Sequence, residues 1–190
     1  MKEKEDIDLD FLSKCSNEQL QFLCDILTKD EKGEFRGTEM MSITELYKKN
    51  YPQKMHNLLP LIKKEICDFG GNSFANFFRE IGAPINLVTY RDVLEIVCDR
   101  ARVNYNKGNS TILVERYLIQ KTCITSIENM TVDDIFHISE QINKRSFGNV
   151  VNSIINVSGP AYRVIVPAVL TIVYLRYITK EKNELSDFLE

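Results

Sequence analysis

Near the C-terminal end of the chain, Val157 to Ile178 reads VSGPAYRVIVPAVLTIVYLRYI and is the most apolar segment of the protein. Between Arg163 and Arg176 stand twelve uncharged residues, Val164 to Leu175, of which only Thr171 is polar, and Pro167 interrupts them one turn after Arg163. A helical bilayer crossing needs about 20 apolar residues, so twelve is too short. On a helix, Val166, Val169, Leu170 and Val173 form one face while Val164, Ala168, Thr171 and Leu175 form another, which leaves little polar face. A helix apolar all round is normally buried. The segment is expected to be the central helix of a soluble core. The alternatives weighed against it are a membrane-inserting hairpin and, for its Val, Ile, Thr and Tyr content, a strand. Pro167 would cost about 3 kcal/mol in a helix interior, so it either starts the helix or kinks it.

A chain of 190 residues is long enough to bury a core without covalent staples, and residues 1–190 are expected to form one helical domain. The polar stretch 104–110, NYNKGNS, is the candidate boundary between two lobes. Cys15, Cys24, Cys67, Cys98 and Cys123 are scattered and include no CxxC pair, which suggests reduced thiols in a cytosolic protein. The N-terminus, MKEKEDIDLD, is charged from its second residue and lacks the apolar stretch of a secretory signal. Residues 1–34 hold ten acidic and five basic side chains, against a net charge of −3 for the whole chain, so the remainder is mildly basic. Lys48, Lys49, Lys54, Lys63 and Lys64 cluster there, but Glu45 and Glu65 dilute them. A solvated helix face fits this better than a phosphate-binding stripe, and no nucleic-acid partner is expected.

Helix punctuation is frequent. Ser16 with Gln19 reads as a capping box ahead of Leu20, Leu23, Ile26 and Leu27 at helical spacing, and Asp8 is expected to cap a short helix before it. DEKGEFRG, 30–37, is a loop. Helical pattern resumes over 42–49 and over 53–69, where Leu58, Leu59, Ile62, Ile66 and Phe69 mark the buried side and Pro60 is expected to strain the helix. Gly70 and Gly71 are expected to stop it, with Asn72 or Ser73 capping a further helix whose Phe74, Phe77, Phe78 and Ile81 are apolar. Residues 87–101 read as an amphipathic helix with Tyr90, Val93, Leu94, Val97 and Cys98 inward. Residues 112–127 stay open between helix and strand. Thr131 and Asp134 form a second capping box before Ile135, Ile138 and Ile142.

Signatures of chemistry are sparse. No GxxxxGK, GxGxxG, GxSxG or HExxH string occurs in the chain, which counts against the common hydrolases and nucleotide enzymes. His137 has Asp133 and Asp134 about a turn before it and Glu140 a turn after, but a metal would need a further ligand from elsewhere in the fold. An ordinary surface histidine explains it more simply. Cys15 and Cys24 lack a nearby base to activate them. No catalytic residue, metal ligand or cofactor is expected.

Four strings, taken together and in order, resemble the YaaW-type family of uncharacterised bacterial proteins. They are DLDFLSKCSNEQL from Asp8 to Leu20, LTKDEKG from Leu27 to Gly33, FGGNSFAN from Phe69 to Asn76, and SGPAYRVIVPAVL from Ser158 to Leu170. The resemblance implies a short N-terminal domain of unknown function. It also implies a link, through the middle of the family's sequence, to assembly chaperones of the ubiquinol-cytochrome c reductase complex. Larger members carry a glycine-rich apolar stretch before the fourth string, where this chain has only Phe147 to Val157.

The expected molecule is all-α, a single compact multi-helix domain with a buried apolar C-terminal helix. Its expected role is a non-enzymatic, assembly-factor or chaperone-like module that binds another protein in the bacterial cytoplasm. The residues put forward for binding are Arg91, together with Ser158, Gly159, Tyr162 and Arg163 of the fourth string. Two alternatives stand beside it. One is a small enzyme in which Arg91, Tyr162, Arg163 and the Asp133, His137, Glu140 group share a pocket. The other is a membrane-associated effector acting through residues 157–178.

Overall fold

The computed structural model describes residues 7–30, 32–36, 41–78, 89–122, 130–145 and 155–179, the side chains of 70–78, 145 and 155–161 excepted. Among these residues all regular structure is helical, apart from one isolated antiparallel bridge between Lys29 and Phe35. A 3-10 segment, Ile7–Lys14, precedes α1 (Asn17–Thr28) and α2 (Glu45–Asn50). A 3-10 turn, Met55–Leu58, runs directly into α3 (Leu59–Phe78). Then follow α4 (Tyr90–Ala101), α5 (Thr111–Thr122), α6 (Val132–Arg145) and α7 (Ile155–Thr179).

Helix α7 is the axis of the fold. Helices α1, α3, α4 and α6 and the 3-10 segment all pack on it. Every residue from Val164 to Val173 is buried, as expected of a helix apolar on all sides. The helix continues through both Pro160 and Pro167. Burying one Val, Leu or Ile side chain contributes about 1.5–3 kcal/mol, so a few of them outweigh the roughly 3 kcal/mol that an interior proline costs. The carbonyl that Pro167 deprives of its usual donor belongs to Arg163, which stands exposed to solvent. One turn on, the Thr171 hydroxyl donates to the Pro167 carbonyl at 2.8 Å.

The helix starts follow their local chemistry. Ser16 and Gln19 close the capping box of α1 reciprocally, with Ser16 N–H donating to Gln19 Oε1 at 2.7 Å. Thr131 and Asp134 do the same for α6, and Thr89 with Asp92 closes a third box that fixes the start of α4 three residues later than the pattern from Leu87 suggests. Leu20, Leu23, Ile26 and Leu27 of α1 are buried, as are Leu58, Ile62, Ile66 and Phe69 around α3.

Several local expectations are corrected. Gly70 and Gly71 do not stop α3, which runs through them to Phe78. Each glycine costs a helix interior only about 0.5–1 kcal/mol, too little to end it without a left-handed cap or a nearby proline. Pro60 is the second residue of α3, in the first turn, where a proline is tolerated far better than in a helix interior. Residues 111–122 are helix, and Asp8 lies inside the 3-10 segment instead of capping it. Ile81, Cys123 and the tail from Lys180 fall outside the described residues.

Candidate functional site

Helix α5 carries a carboxylate on its core face. Val114 and Leu118 bury the inward stripe, and Glu115 beside them is 0% exposed. A charge so placed demands partners, and two helices supply them. The Tyr90 hydroxyl of α4 donates to Glu115 Oε1 at 2.7 Å. Arg176 of α7 brings its Nε to 2.8 Å from Glu115 Oε2, an ion pair whose angle falls short of an aligned hydrogen bond. The same guanidinium donates from Nη2 to the Asp8 carbonyl at 2.6 Å and lies 4.1 Å from the centre of the Phe11 ring. Asp8 in turn accepts the Thr111 hydroxyl of α5 at 2.7 Å through its side chain.

Burial pushes the Glu115 carboxyl above its ordinary value, against the opposing pull of Arg176 and Tyr90. Burial, followed by the nearby Glu115 charge, raises the Tyr90 hydroxyl well above the usual tyrosine value. Both Glu115 oxygens are taken, and Arg176 is only 8% exposed. This arrangement fastens α4, α5, α7 and the N-terminal segment at one point.

The residues singled out in the sequence take separate positions. Arg91, on the first turn of α4, donates from Nε to Glu95 at 2.9 Å and from Nη1 to the Asn109 carbonyl at 2.9 Å. Tyr162 of α7 lies beneath the Arg100 guanidinium, 3.9 Å from its ring centre, and Arg100 also donates to Asn143 Oδ1 of α6 at 3.0 Å. Arg163 is exposed. Ser158 and Gly159 lie within the first two turns of α7, and their side chains are outside the described residues. His137 is exposed on α6 with its Nε2 at 2.8 Å from Gln141 Nε2, while Glu140 pairs with Lys144 at 2.6 Å. No group of three or more His, Cys, Asp or Glu able to hold a metal occurs among the described residues.

A partly exposed cluster at the C-terminal end of α1 had no sequence signal. Lys29 Nζ reaches Asp25 Oδ1 at 2.7 Å and the Tyr51 hydroxyl at 2.9 Å, and Tyr51 stacks on Tyr47 with ring centres 4.7 Å apart. The thiols of Cys15 and Cys98 are pushed up by burial, to about 11 and about 12, which makes both inert while covered.

Residues 4–36 match a family model described as a domain of unknown function, DUF3944. The chain is 30% identical over 149 residues to a UPF0174 protein of Helicobacter pylori, an alignment covering 78% of this chain and 56% of the relative. It is 36% identical over 118 residues to the UPF0174 protein YaaW of Escherichia coli, covering 61% of this chain and 48% of that one. Homologues of the chain are thus UPF0174 proteins, YaaW among them. The chain spans about half the length of the curated relatives it matches. No solved structure matches it.

Proposed function

We propose that this chain is a protein-binding module of the bacterial cytoplasm, assembly-factor-like, with no chemistry of its own. The observation that carries the reading is the use of its buried charges. Glu115, Arg176 and Tyr90 are consumed in holding helices together. Meanwhile large apolar side chains stand out at Phe35 (55% exposed), Ile43 (57%) and Leu46 (41%), all in one short stretch of chain. Exposed apolar side chains mark a contact surface where they form one patch, which is what a probe at position 43 reads. A photo-crosslinking amino acid at position 43, in the living source cell, tests it. A discrete adduct with another polypeptide that is absent when the probe replaces Lys144 supports the reading. Equal, diffuse adducts from both positions, or none from either, would sink it.

A second reading has one observation in its favour. The 18 residues Tyr162–Thr179 are long and apolar enough to cross a membrane by length and composition, although 72% of that window is buried inside the protein. Flotation of the purified chain with anionic lipid vesicles separates the two. Retention in the aqueous fraction favours the protein-binding module, and stable flotation favours the membrane.

A further inference from the structure

We infer that Ile7–Lys14 is a strap, a segment that opens from the core while the helices beneath it stay packed, and that Arg176 is the catch that holds it shut. The segment is a 3-10 helix, whose hydrogen-bond geometry is poorer than that of an α-helix, so it contributes little to its own order. Its apolar hold is two leucines and one partly buried ring, Phe11. Leu9 and Leu12 are buried, whereas Ile7 is 80% exposed. The remaining anchors are polar and fall on three different helices: the Asp8 carbonyl on Arg176 of α7, the Asp8 side chain on Thr111 of α5, and Asp10 on Lys63 of α3 at 2.6 Å.

The strap can leave without uncapping its neighbour. Helix α1 begins with the capping box of Ser16 and Gln19, both outside the strap, so its first turn is satisfied either way. The joint is Cys15, 2% exposed, whose N–H donates to the Leu12 carbonyl at 3.1 Å. Opening the strap uncovers this thiol. Cys24 and Cys98, both 0% exposed, lie on α1 and α4 and come to solvent only if the core itself opens. Segments can open below the global unfolding free energy, and the strap, short and separated from α1 by that helix's own capping box, is placed to do so. The strap lies wholly within residues 4–36, the part that the domain-of-unknown-function model matches.

Pulse labelling of the native full-length chain with N-ethylmaleimide at pH 8, read by peptide mass, tests the inference. Cys67, partly exposed, reports on the reagent. The expected result is that Cys15 labels at least tenfold faster than Cys24 and Cys98. Thr111→Val should speed Cys15 severalfold further while leaving Cys24 and Cys98 unchanged, and Arg176→Lys, which also loosens the Glu115 pair, should speed Cys15 more than it speeds Cys24 and Cys98. One common rate for the three buried thiols, or variants that accelerate all three together, would show that the segment opens only with the whole fold and would overturn the inference. Should Arg176→Lys fail to fold, Thr111→Val decides alone, because Thr111 sits at the partly exposed start of α5.

Discussion

The guanidinium of Arg176 and the backbone carbonyl of Asp8, 168 residues apart in sequence, meet at 2.6 Å. The same cation neutralises Glu115, so one side chain joins the two ends of the described fold to its interior.

Arg176→Leu is expected to destabilise the protein by roughly 3–5 kcal/mol, because it leaves the Glu115 carboxylate buried beside Tyr90 alone. Arg163→Leu, at the other end of the same apolar run, removes an exposed side chain and is expected to change stability by less than about 0.5 kcal/mol. Urea unfolding of both variants checks the contrast. Equal losses would contradict the account of α7.

Removing the whole network should be gentler than removing one member. The triple variant Tyr90→Phe, Glu115→Leu, Arg176→Met leaves no orphaned polar group among the three side chains. It is expected to recover most of what Arg176→Leu alone loses, since apolar replacement of a buried ion pair is often neutral or better. A triple variant as unstable as the single one would show that packing, and not charge, sets the cost.

Acid should expose the cap of α6. Asp134 is held below the usual aspartate value of about 3.9 by the Thr131 hydroxyl, then by the Thr131 N–H. Such a lowered carboxyl contributes stability above that reference value and loses it as the pH falls through its folded value. The melting temperature of Thr131→Ala should therefore lie below that of the wild type at pH 7, and the gap should narrow on acidification below pH about 4. A gap independent of pH from 7 to 2 would rule out the Asp134 contribution.

Two glycines should respond differently to alanine. Gly33 has φ +79° and nothing within 4 Å of an added Cβ, so the cost of Gly33→Ala is purely conformational, about 1–2 kcal/mol. Gly108→Ala, which meets only Asn106 Oδ1 at 3.6 Å, is expected to be near neutral. Thermal unfolding distinguishes them.

The helical class and most inward faces were legible because their signals are local. Ser16 with Gln19, Thr131 with Asp134, and the spacing of Leu20, Leu23 and Leu27 each act within a turn or two. The misreadings have a common origin. Gly70, Gly71 and Pro60 were weighed for intrinsic preference, whereas their cost depends on position in the helix and on packing around it. At the buried network the sequence offers no sign that Arg176, which only bounds the apolar run, is the cation that pairs with Glu115. A usable sign was present in α5, where Glu115 sits between Val114 and Leu118 on what becomes the inward stripe. Its partners are far away in sequence, so nothing local could name them.

The central place of α7 has a consequence for synthesis. The apolar face of α1 packs on a helix encoded more than a hundred residues downstream. At translation rates of about 5–20 residues per second, the part of that face that meets α7 stays uncovered for on the order of ten seconds after it leaves the ribosome. Nascent chains arrested before residue 155 should therefore be the ones that holdase chaperones retain and proteases clear. Helix α7 then acts as the quality-control checkpoint of its own polypeptide.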